Sequence, residues 1–119
     1  MTFIIHETPW GRLAGIKEDG IVIATSGDAL DIMGDCYYQG FDGLILHRDN
    51  ITADFFDLKT RMAGEILQKF STYRMRFVIV GNWDNIEKQS LRDFIRESNR
   101  LGHILFASSV EQALENLGQ

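Results

Sequence analysis

Arg76-Phe77-Val78-Ile79-Val80-Gly81 places four apolar residues in succession between a base and a glycine. A strand with one wet face alternates apolar and polar residues, whereas a strand buried on both faces does not. The run is too short for a helix, rich in β-branched residues and closed by glycine, so it reads as a doubly buried strand. Two further segments share its character: Gly43-Leu44-Ile45-Leu46 upstream and His103-Ile104-Leu105-Phe106-Ala107 downstream. Doubly buried strands that alternate with helices indicate a parallel sheet covered on its faces.

The segments between them carry helical periodicity. Ala29, Leu30, Met33, Cys36 and Tyr37 recur with a 3.6-residue period, with Ser26 as the expected N-cap and Gly40 just past the end. Gln89 to Leu101 forms a helix ended by Gly102, and Ser108-Ser109-Val110-Glu111 reads as a capping box for a terminal helix reaching Leu117. Short extended segments are expected at Phe3–His6, Leu13–Lys17 and Ile21–Thr25. The expected fold is a single α/β domain over residues 1–119: a mostly parallel central sheet covered by four helices, with short N-terminal strands.

Composition narrows the function. The chain has 119 residues, one proline and a net charge of −5. Residues 1–56 hold 3 Lys/Arg against 9 Asp/Glu, while residues 57–119 hold 9 against 8. An acidic chain lacks the concentrated basic footprint of a nucleic-acid binder. No apolar run is long enough for a membrane helix, and the start lacks the basic region of a signal peptide, so a cytoplasmic protein is expected. The single cysteine, Cys36, excludes an internal disulfide and falls on the core side of its helix. Trp10, beside the only proline, is expected to anchor the N-terminal segment, and Tyr37, Tyr38 and Trp83 are candidates to line a pocket.

The second helix is expected to run from about Thr52 to Tyr73. At 100° per residue, Phe55, Phe56, Met62, Ala63, Ile66, Leu67, Phe70 and Tyr73 share one arc of about 140°. Lys59 falls inside that arc, and a lysine is almost never fully buried unless paired. It can bury its stem and send its ammonium towards an acid on the rim, or bind an anion with Thr60 at the helix N-terminus. A structural ion pair is the plainer reading.

In a parallel sheet, ligands bind beyond the carboxyl ends of the strands. Those ends carry Ser26-Gly27-Asp28, His47-Arg48-Asp49-Asn50, Gly81-Asn82-Trp83-Asp84 and Ser108. Candidate ligand-binding residues are therefore Asp28, Asp49, Asn50, Asp57, Lys59, Thr60, Asn82 and Trp83. Asp28, Asp49 and Asp84 on three loops suggest a divalent cation, but Asp and Asn at such positions ordinarily cap helices, so no metal and no cofactor are expected. His47 with Asp49 is a possible proton-transfer pair. The motifs of phosphate loops, dinucleotide folds and nucleophile elbows are absent. On the third helix, Lys88, Arg92, Arg96 and Arg100 recur every four residues, with Asp93 and Glu97 placed for local ion pairs. This ridge is a solvated face or a docking surface for an acidic partner, and Asp28, Asp31 and Asp35 make a homodimer conceivable.

The run Asp54-Phe55-Phe56-Asp57-Leu58-Lys59-Thr60-Arg61-Met62-Ala63-Gly64-Glu65-Ile66-Leu67-Gln68-Lys69-Phe70, with Ser90-Leu91-Arg92-Asp93-Phe94-Ile95 and Glu97-Ser98-Asn99, resembles a bacterial family known as domain of unknown function 4180. More distantly, the element order and the ending Ile104-Leu105-Phe106…Val110-Glu111-Gln112-Ala113-Leu114 are similar to STAS domains, the anti-sigma-factor-antagonist fold. That similarity implies a STAS-like domain. Phe56-Asp57 stands where those domains precede a phosphorylatable serine, but Leu58 occupies the serine position, so the phospho-switch is not implied. The favoured expectation is a non-catalytic regulatory or protein-binding domain using the rim around Asn50 to Thr60, with no nucleic-acid or membrane partner. The alternative is a small-molecule or anion-binding domain, or an enzyme, using Lys59 with Asp49, Asp57 or Asp84.

Overall fold

The computed structural model describes residues 3–117. One sheet holds five strands in chain order: β1 (Phe3–Thr8), β2 (Gly11–Ile16), β3 (Gly43–His47), β4 (Arg76–Val80) and β5 (Ile104–Ala107). β1 pairs antiparallel with β2, and every other pairing is parallel. The helices are α1 (Ser26–Tyr38), α2 (Met62–Thr72), α3 (Gln89–Leu101) and α4 (Val110–Leu117).

Strand order that follows chain order fixes the layering. Each crossover from β2 to β5 steps in the same direction, and right-handed crossovers then place α1, α2 and α3 on one face. The packing agrees. Leu44, Leu46, Phe77, Ile79 and Phe106 share a core with residues of α1 and α2. Leu13, Ile45, Val78 and Leu105 turn to the other face, against Ala113 and Val110 of α4 and Trp10. Phe77 and Ile79 thus feed one core and Val78 the other, which is why β4 shows no polar alternation. Trp10 also carries the Arg76 guanidinium over its ring at 4.5 Å.

Four local expectations are corrected. Ile21–Thr25 is not a strand, because only Ile23 makes a bridge, to Ile51. The N-cap of α1 is Thr25 rather than Ser26: its side chain accepts from the Asp28 N–H, and Asp28 accepts in return. Ser26 instead donates to Glu65 Oε2 on α2 at 3.0 Å. The long helix from Thr52 does not form. Residues Ala53–Phe56 and Leu58–Thr60 are 3₁₀ turns, and α2 begins only at Met62. Local side-chain bonds outcompete the α-helix here. Asp57 accepts from the Lys59 N–H at 3.2 Å, and the Thr60 hydroxyl donates to the Asp54 and Asp57 carbonyls at 2.7 and 2.8 Å. Arg61 then sits at φ 64°, where no α-helix can continue.

The capping box of α4 is shifted by one residue. Ser109 Oγ accepts from the Gln112 N–H, and Gln112 Oε1 accepts from the Ser108 N–H.

α1 and α2 end in the same motif with different residues. After α1, the Phe41 N–H donates to the Cys36 carbonyl at 2.9 Å and the Gly40 N–H to Tyr37 at 3.1 Å. After α2, the Met75 N–H donates to Phe70 at 2.8 Å and the Arg74 N–H to Ser71 at 3.1 Å. This double closure needs a left-handed residue, normally glycine. Gly40 supplies it at φ 87°, whereas Arg74 is held at φ 55°. Arg74→Gly is therefore expected to stabilise the protein by about 0.5–1 kcal/mol, the left-handed penalty less the entropy that glycine adds to the unfolded chain. A higher urea midpoint at unchanged m-value is the expected readout; a lower midpoint would mean that Arg74 makes a contact worth more than the strain.

Cys36 is fully buried in α1, as its position in the periodicity implied. Burial, helped by the neighbouring Asp35 carboxylate, pushes its thiol up to about 11. The folded state therefore keeps this proton after the unfolded chain, with its ordinary value near 9.0, has lost it. Stability present below the unfolded value is lost as pH rises towards the folded one. Between pH 9 and 11 stability is expected to fall by up to ~1.4 kcal/mol per pH unit more than in Cys36→Ala. Parallel urea titrations of the two proteins measure that difference; equal slopes would show that Cys36 is not the cause.

Candidate functional site

The carboxyl ends of β3, β4 and β5 open onto a cleft of about 610 Å³. Aromatic packing locks its floor. Trp83 stands edge-on to Phe106, with centroids 4.9 Å apart at 88°, and its indole N–H donates to the Ala107 carbonyl at 3.1 Å. The Arg48 guanidinium lies over the Trp83 ring at 4.6 Å and over Phe56 at 5.5 Å, and donates to the Asn82 carbonyl. Gly81 makes this possible: a Cβ there would lie 2.6 Å from Arg48 Cδ and 2.8 Å from Cγ. Only glycine lets the arginine stem cross the end of β4.

Each polar wall is braced by local hydrogen bonds. His47 Nδ1 accepts the Asp49 N–H at 3.1 Å, which leaves the ring proton on Nε2. The Asp49 carboxylate lies 3.4 Å from the same nitrogen. Asn82 Oδ1 accepts the Asp84 N–H at 3.0 Å. The Ser108 hydroxyl donates to Gln112 Oε1 at 2.9 Å. Asn99 on α3 bonds both main-chain groups of Phe106, at 2.8 and 3.3 Å, and so satisfies part of the free edge of β5.

Six rim residues singled out in the sequence meet here: His47, Gly81, Asn82, Trp83, Asp84 and Ser108. The others do not line the cleft. Asp28 is spent on the cap of α1, accepting from Ala24 and Thr25. Asp49 only flanks His47. Asn50 is buried, and its side-chain groups are engaged with Glu18, Gly20 and His47. Asp57 and Thr60 close the 3₁₀ turns. Lys59 is exposed rather than buried in an apolar arc, because the helix that would define that arc starts three residues later. Tyr37 packs on Tyr73 between α1 and α2 and Tyr38 is 92% exposed, so neither joins Trp83.

Lys88, Arg92, Arg96 and Arg100 are all exposed along α3. Arg96 pairs with Asp93 at 2.8 Å and Arg100 with Glu97, as their spacing implied. Arg92 bonds Gln89 and the Ile86 carbonyl. Among the described residues no three His, Cys, Asp or Glu side chains converge, so Asp28, Asp49 and Asp84 form no cation cage. Sequence reasoning missed Ile95, Asn99, Phe106 and Gln112 as lining residues. Gln112 carried the one usable signal, its place at the third position of a capped helix.

Residues 11–117 match the family model described as Domain of unknown function (DUF4180). The chain belongs to the DUF4180 family. The match runs from β2 through α4, so every wall of the cleft lies within the DUF4180 domain. No curated protein and no solved structure matches the chain. No helix among the described residues of this DUF4180 domain is long and apolar enough to cross a membrane.

Proposed function

We propose that this DUF4180 protein is a non-catalytic binding domain acting through the cleft at the carboxyl ends of β3, β4 and β5. The observation that carries the reading is that the cleft is concave and its walls are fixed by internal hydrogen bonds. A preformed site loses little entropy when it binds. Two groups that could do chemistry are occupied in the same bonds: His47 Nδ1 by the Asp49 amide, and the Ser108 hydroxyl by Gln112. That favours holding a molecule over transforming it. The order of elements, a hairpin followed by alternating helices and parallel strands, supports a STAS-like regulatory role. Lys59 as an anion hook has less support, since its ammonium is exposed and away from the cleft walls.

A cytoplasmic protein partner on α3 is the second reading. Arg96 and Arg100 are held only by exposed ion pairs, which contribute little and yield readily to a competing acidic surface.

Amide chemical-shift mapping with a small fragment library separates these readings. The cleft predicts that signals of His47, residues 81–84, Ser108 and Gln112 move together while those of Lys59 and Thr60 stay still. Movement confined to residues 59–61 would restore the lysine site. Silence at the cleft, with capture of an acidic protein lost in Arg92→Glu/Arg96→Glu, would shift the function to α3.

A further inference from the structure

Subtracting the internal bonds of the cleft leaves a specific set of polar groups. Asn82 keeps both amide hydrogens, because its Oδ1 is the atom taken by Asp84. Gln112 keeps both of its own, because Oε1 receives the Ser108 N–H and hydroxyl. His47 retains Nε2–H. Asp84 is the one formal charge in the lining, and among the described residues its carboxylate has no ion-pair partner. No lysine or arginine lines the cleft, and the Arg48 guanidinium is committed to the Asn82 carbonyl and the Trp83 ring.

This set disfavours a phosphate or carboxylate, which would meet the Asp84 carboxylate with no cation among the lining residues. It suits neighbouring hydroxyls. Each hydroxyl of a vicinal diol can donate to one Asp84 oxygen and still accept from an amide N–H of Asn82 or Gln112. Half-buried Trp83 and Ile95 add a small apolar area beside these polar groups.

We propose that the cleft binds an uncharged ring compound bearing a vicinal diol, with the diol on Asp84 and further acceptors of the ligand on Asn82, Gln112 and His47. The proposal rests on the cleft being the functional site. A nucleoside ribose and a free pyranose share this chemistry.

The test uses the full chain, labelled with nitrogen-15, and follows the Trp83 indole N–H and the side-chain amides of Asn82 and Gln112. The probes are adenosine, 2′-deoxyadenosine, AMP and methyl glucoside. Adenosine or methyl glucoside is expected to shift these signals saturably. Removing the diol (2′-deoxyadenosine) or adding the phosphate (AMP) is expected to weaken binding about tenfold relative to adenosine. Asp84→Asn is expected to weaken the diol ligand by a similar factor at unchanged Tm. A preference for adenosine assigns the nucleoside, and a preference for methyl glucoside the sugar. Tighter binding of AMP than of adenosine, or binding undiminished in Asp84→Asn, would overturn the diol while leaving the cleft as the site. If fragments shift the cleft signals but neither diol does, the diol class alone is overturned; if fragments leave them unmoved, both ideas go.

Discussion

Phe77→Ala is expected to destabilise the protein by ~3–5 kcal/mol, the largest loss from any single truncation in the sheet. Phe77 is fully buried at the start of β4. Its ring stacks on Phe70 of α2 at 5.0 Å and 22°, and meets Phe55 of the Ala53–Phe56 3₁₀ turn edge-on at 6.5 Å. Three elements thus converge on one ring. Truncation removes the transfer free energy of the ring and leaves a cavity. The main chain of β4 is paired on both sides, to β3 and β5, and cannot move in to fill it. Against a typical total of about 5–15 kcal/mol, the variant keeps only a thin margin. Urea unfolding followed by circular dichroism should show a much lower midpoint at an unchanged m-value. A loss under ~1.5 kcal/mol would mean that Phe70 and Phe55 collapse into the space, and that this core is less rigid than its ring geometry implies.

The strand that Phe77 belongs to was the most legible part of the sequence, because burial on both faces leaves no polar alternation to misread. The place of the cleft was legible for a related reason: ligands collect beyond the carboxyl ends of parallel strands whatever the fold's history. The helix that failed shows the limit of periodicity. Phe55 and Met62 are buried whether residues 52–61 form an α-helix or 3₁₀ turns, so the apolar pattern is the same for both. The decision lay with Asp57 and Thr60, through hydrogen bonds to nearby main chain that a hydrophobic count does not register, and with the left-handed backbone of Arg61. Lys59 looked anomalous only inside a helix that those bonds prevent. Asn99 and Gln112 were hidden for another reason. They reach the cleft from α3 and α4, and which way a helix turns its polar side chains depends on how it docks. A polar residue after a strand is equally ambiguous, and Asn50 is the case in point: it reads as a rim ligand and is instead a buried connector.

Asn50→Leu should therefore cost ~2–4 kcal/mol although the new side chain is of similar size. Nδ2 of Asn50 donates to the Glu18 and Gly20 carbonyls, both at 2.8 Å, and Oδ1 accepts the His47 N–H at 3.2 Å. Its own carbonyl accepts from Val22 and Ile23. One side chain thus ties the turn before α1 to the end of β3. A buried polar group left without a partner costs about 1–3 kcal/mol, but Glu18 and Gly20 are exposed and water can reach their carbonyls. The total is accordingly less than three full penalties. Asn50→Asp separates hydrogen bonding from packing, since it keeps the shape and the Oδ1 acceptor but loses both donors. Its carboxylate would face two carbonyl oxygens, which raises its folded pKa above the ordinary value of about 3.9. The sign follows: its best stability relative to wild type lies below the unfolded value and is lost as pH rises through the folded one. Asn50→Asp should thus approach wild type near pH 4 and fall furthest behind at neutral pH. A pH-independent difference, or a loss under ~1 kcal/mol in Asn50→Leu, would show that these bonds add nothing net to stability. If they do hold, freeing the His47 main chain should also weaken any ligand of the cleft, although Asn50 itself does not line it.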